Sequence, residues 1–157
     1  MHTASANVWE AYGIVVDTTY WPVLVQRLPV EFQSHDAAID AWIDTVEAVM
    51  RARPEPFVIV ADALAMRRAP DAHARRRMAA WMSGSEAYRA RCLGIVSIVR
   101  SPIVRGTLLA IQWLTHPWPP RPVVTNWSEA LAEALHLLRR ADVATPRGLE
   151  HLASASA

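Results

Sequence analysis

Asp62, Arg100, Ser101, Thr125 and Asn126 are the residues of this chain best placed to hold a ligand, because each follows a run that reads as a β-strand. Open α/β sheets bind ligands along the rim formed by the carboxyl ends of their strands. A helix opening at Ser101 adds free N–H donors and the positive end of a dipole to that rim. Together these groups could hold a small anion or phosphate. The same residue types also suit a local role, since Asp and Asn tie loops and cap helices.

Other chemistry finds little support. His73 and His116 have no second histidine or carboxylate at metal-ligand spacing. Cys92 has no cysteine neighbour and opens a strand, which favours a packed thiol over a nucleophile. No nucleophile elbow, phosphate-cradling loop or dinucleotide fingerprint occurs, so neither catalysis nor a cofactor is expected. Arg67, Arg68, Arg75, Arg76, Arg77, Arg89 and Arg91 form a basic region, but the net charge is +1 and aromatic interleaving is sparse, which argues against nucleic acid. An acidic helix face, Asp36, Asp40, Asp44 and Glu47, can neutralise that region internally.

The elements that position these residues follow from periodicity. At 157 residues, 52 % hydrophobic, the chain suits one domain with a substantial core. Residues Val8–Asp17 and Val23–Phe32 read as an antiparallel hairpin, and Ser34 as the cap of an amphipathic helix. Phe57–Ala61 and Leu93–Val99 are uninterrupted apolar or nearly apolar runs, the mark of strands buried on both faces. Pro70 and Asp71 open a helix with Ala74, Met78, Trp81 and Met82 along one side. Ser101 and Pro102 start an apolar helix to Leu114, and after Pro117–Pro120 come a short strand at Pro122–Thr125 and a last helix capped by Asn126. The predicted order is β-β-α-β-α-β-α-β-α, an α/β fold with a mixed sheet. The domain is expected over 8–140, with a flexible N-terminus at 1–7 and a flexible tail at 141–157.

That order, the strand ending Val60-Ala61-Asp62 and the run Ser101-Pro102-Ile103-Val104-Arg105-Gly106 before a helix carrying Trp113, resemble bacterial STAS-like domains. The likeness is nearest to the small stand-alone STAS/SEC14-like proteins. The resemblance implies helices mainly on one face of the sheet and a regulatory or binding role more often than catalysis. Anti-sigma-factor antagonists of that group carry a phosphorylatable Ser or Thr where this chain reads Pro70-Asp71-Ala72-His73, so a phosphorylation switch is not expected there.

The helix 102–114 is apolar around most of its circumference, with Arg105, Gln112 and His116 near one line. The reading is therefore a non-enzymatic module that associates, as a homodimer or with a protein partner, through this helix. Leu109 and Trp113 would lie in the contact, Trp118 beside it and Arg105 at its rim. The alternative is a carrier or sensor of a small apolar or amphipathic ligand held between that helix and the sheet. Met1–Asn7 has no signal-peptide pattern, no run reaches membrane-spanning length, and a single cysteine fits a reducing, cytoplasmic location.

Overall fold

The computed structural model describes residues 7–106, 108 and 119–154. The run expected to be the first strand is itself a hairpin. Strands β1 (Val8–Ala11) and β2 (Ile14–Asp17) pair antiparallel around Tyr12-Gly13. Both turn residues have positive φ, 52° and 75°, as a type I′ turn requires. Strand β3 (Val23–Arg27) then pairs antiparallel with β2. Ser34 does not cap α1 (Asp36–Ala52). His35 does, its Nδ1 accepting from the Ala38 N–H, while the Ser34 hydroxyl accepts from the Asp71 N–H.

Strands β4 (Phe57–Asp62), β5 (Cys92–Ile98) and β6 (Val123–Val124) extend the sheet in parallel, giving the order β1-β2-β3-β4-β5-β6. Between β4 and β5 lie α2 (Ala72–Gly84), capped by Asp71, and the short α3 (Glu86–Arg91), capped by Ser85. Helix α4 opens at Pro102 and is described as helical over 102–106. Asn126 caps α5 (Trp127–Arg140), and α6 (Glu150–Ser154) follows.

Helices cover both faces of the sheet, which corrects the expected one-sided arrangement. Val23, Val25, Val58, Val60, Val96 and Ile98 point to one face and pack on α5. Leu24, Phe57 and Ile59 point to the other and pack on Trp42, Val46, Val49 and Met50 of α1 and on Tyr88 of α3. Strands without polar alternation need cover on both sides, and alternating residues of β3 and β4 obtain it from different helices. Gly94 allows α5 to approach closely, since a Cβ there would lie 2.6 Å from Leu137 Cδ1 and 3.0 Å from the Pro120 oxygen. The segment after Arg140, expected to be loose, seats Leu149 and Leu152 in the same core as α5.

Candidate functional site

The strand register builds the floor of a cavity. Gln26 of β3 pairs with Ala61 of β4, and Ala61 pairs with Ser97 of β5, so the three form one row across the middle of the sheet. Leu24, Ile59 and Ile95 form the row two residues nearer the amino ends. Because side chains alternate, both rows face the α1 and α2 layer. Between two larger side chains, Ala61 leaves a gap, and α2 bridges it. Helix α2 buries only Ala74 fully, while Met78, Ala79 and Met82 look down on the gap.

The result is a cavity of about 200 Å³. Its deep wall is Trp42, Ile59, Met78, Met82 and Ile95, and Val104 and Leu108 of the Pro102 helix close another side. Among the described lining residues the polar side chains are Gln26, Arg75, Ser97 and Arg121, and none is acidic. Gln26 is 5 % exposed, and its Nε2 is fully buried with no hydrogen-bond partner among the described residues. A buried donor left unpaired is costly and uncommon in native proteins. Ser97 makes no side-chain hydrogen bond among the described residues; its backbone N–H donates to the Pro122 carbonyl.

Helix α2 is tied to α1 by polar contacts along its outer edge. Asp36 Oδ1 lies 2.6 Å from His73 Nε2 and 2.9 Å from Arg77 Nη1, Arg77 Nη2 donates to Asp40 at 2.6 Å, and Trp81 Nε1 donates to Glu47 at 2.9 Å. The acidic face of α1 thus meets part of the basic region, as charge balance suggested. Hydrogen bonds from His73 and then Arg77 hold the Asp36 carboxyl below its ordinary range.

The residues expected along the rim do mostly local work. Asp62 Oδ1 accepts from the Leu64 N–H, closing a turn. Asn126 Oδ1 accepts from the Glu129 N–H while Glu129 Oε2 accepts from the Thr125 N–H, a reciprocal cap. The hydrogen bond from the Thr125 N–H first, and those from the Thr125 and Asn126 side chains, keep the Glu129 carboxyl below its usual range. Ser101 caps the Pro102 helix through the Val104 N–H, and Arg100 and Arg105 are exposed. Leu109, Gln112, Trp113, His116 and Trp118 lie outside the described residues. Trp21 stacks on Phe57 and donates to Glu55, with Arg53 over its ring. Cys92 is buried, and burial pushes its thiol up to about 11.

Sequence reasoning missed Gln26, Ser97, Ala61 and Arg75. A signal for two of them was present, since Gln26 follows Val23-Leu24-Val25 and Ser97 interrupts an apolar strand. A polar residue in a strand that is covered on both faces needs a partner. Among the described residues no helix is long and apolar enough to cross a membrane, and no three His, Cys, Asp or Glu side chains gather as a metal set. Comparison with family models, with curated proteins and with solved structures finds no match, so the geometry of the cavity is what speaks for function.

Proposed function

We propose that this protein binds a small apolar or amphipathic molecule in the cavity beneath α2. The observation that carries the reading is the unpartnered Gln26 amide in a largely apolar cavity, which gives a guest both a hydrophobic surface and a donor to meet. The size fits a compact molecule. An apolar cavity of about 150 Å³ takes benzene, so a guest on the order of ten non-hydrogen atoms suits this one. No nucleophile and general base face each other among the described lining residues, and the role that the cavity favours is carriage or sensing. That role agrees with the resemblance to STAS-like regulatory domains, which belongs to this proposal. The test is a titration of the labelled protein with 3-phenylpropanol followed by amide NMR shifts. Changes confined to Gln26, Ala61, Ser97 and α2 are expected, and shifts scattered over the surface would contradict the reading.

A second reading, association of two copies through the Pro102 helix, draws on Ile103, 82 % exposed next to buried Val104. Sedimentation of the purified chain as a monomer at micromolar concentration would remove it and leave the cavity reading standing.

A further inference from the structure

The cavity is polarised along the strands. The Gln26, Ala61 and Ser97 row stands about 7 Å nearer the carboxyl rim than the Leu24, Ile59 and Ile95 row, the length of two strand residues. Helix α2 runs the same way beside α1, because His73 meets Asp36, Arg77 meets Asp40, and Trp81 meets Glu47. The start of α2 is pinned at the rim by the Asp71 N–H donating to Ser34 Oγ. Arg75 therefore enters the cavity at the rim end, and Met78 and Met82 enter deeper.

Arg75 is a cation without a carboxylate. Its Nη1 donates to the Pro70 carbonyl at 2.8 Å, and no acidic side chain pairs with it among the described residues. The second lining guanidinium, Arg121, follows Pro120, whose carbonyl accepts from the Ile95 N–H, so it stands at the deeper level, and its charge bears on Tyr88 and Cys92. The rim end thus gathers three donors and no carboxylate among the described residues: a guanidinium, the Nε2 of Gln26, and a hydroxyl that can donate. The deep end offers an indole, two thioethers and two isoleucines, with the Arg121 guanidinium beside Ile95.

We infer that the guest is a small monocarboxylate with a compact apolar body, its carboxylate received by Arg75, Gln26 and Ser97 and its body lying against Trp42, Met78 and Met82. A planar guanidinium matches a carboxylate in geometry and charge, and such bonds are roughly twice as strong as neutral ones. The unpartnered amide gains an acceptor on binding. This rests on the cavity reading above, and the experiment separates the two.

Calorimetric titrations of the full chain with 3-phenylpropionate and with its neutral isostere 3-phenylpropionamide are compared at pH 7. The carboxylate is expected to bind roughly tenfold more tightly or better, and Arg75→Gln to abolish that preference, so that the two probes bind the variant equally. Equal affinities for the two probes in the wild type would overturn the carboxylate assignment and leave the cavity reading intact. A preference that survives in Arg75→Gln would overturn the role given to Arg75. Absence of binding by either probe at millimolar concentration would overturn both readings.

Discussion

A primary amide sealed without a partner carries a desolvation cost of about 1 to 3 kcal/mol, and Gln26 Nε2 is in that position. Leucine has nearly the same volume and no donor to desolvate. Gln26→Leu should therefore leave the unliganded protein as stable as wild type or more stable by about 1 kcal/mol, measured by urea denaturation, while weakening a guest that carries an acceptor. A loss of stability would mean that the amide is satisfied in solution. Cys92 presents the opposite case, a group whose burial serves packing alone. With its thiol pushed up to about 11, little thiolate exists near neutrality, and iodoacetamide at pH 8 should label it only after denaturation. Rapid labelling of the native chain would contradict the packed assignment. Neither Gln26 nor Arg75 stood out in the sequence, because their importance comes from facing a gap that only the strand register and α2 together create.

At the scale of elements, the most informative helix is the least buried one. Helix α2 hides only Ala74 fully, and its half-buried methionines pack at the edge of the core where they also line the cavity, so its polar contacts with α1 carry much of its attachment. His73 and Arg77 lower the pKa of Asp36, meaning that the folded state binds its proton less tightly than the unfolded state does. Stability from this carboxylate is thus full above its ordinary pKa of 3.8 and is lost as the pH falls through the lowered value. In acid titrations below pH 3.8, Asp36→Asn should show a shallower fall of stability than wild type, and identical curves would show that the contact adds nothing. On the opposite face, Gly94→Ala forces a methyl against Leu137 and the Pro120 carbonyl. Because the backbone oxygen yields less readily than the leucine tip, a loss of about 1 to 3 kcal/mol is expected in thermal or urea unfolding. Strands β4 and β5 and helix α5 were legible in the sequence because their apolar runs and caps are unambiguous. The β1–β2 turn was not, since Val8 to Asp17 stays rich in Val, Ile and aromatic residues across Tyr12-Gly13 and only the glycine marks the break.

For the whole molecule, a mixed α/β sheet opened by antiparallel strands was readable from element order, and cover on both faces was implied by the same uninterrupted runs. The resemblance to STAS-like domains pointed instead to one main face, and the packing of α1 and α5 on opposite sides follows the strand chemistry. The tail was misjudged because a short helix with two leucines has too little periodicity to announce a docking site, yet Leu149 and Leu152 are buried. What the sequence could not display is a volume. The cavity lies where one small residue, Ala61, sits between Gln26 and Ser97 beneath Met78, Ala79 and Met82 of α2. Filling that volume tests the account most directly. In a calorimetric titration of Ala61→Phe with 3-phenylpropanol, with Ala79→Phe from the α2 side as the companion variant, heat of binding should vanish while thermal unfolding remains cooperative. Binding of wild-type strength in both cooperatively folded variants would show that the guest site lies elsewhere.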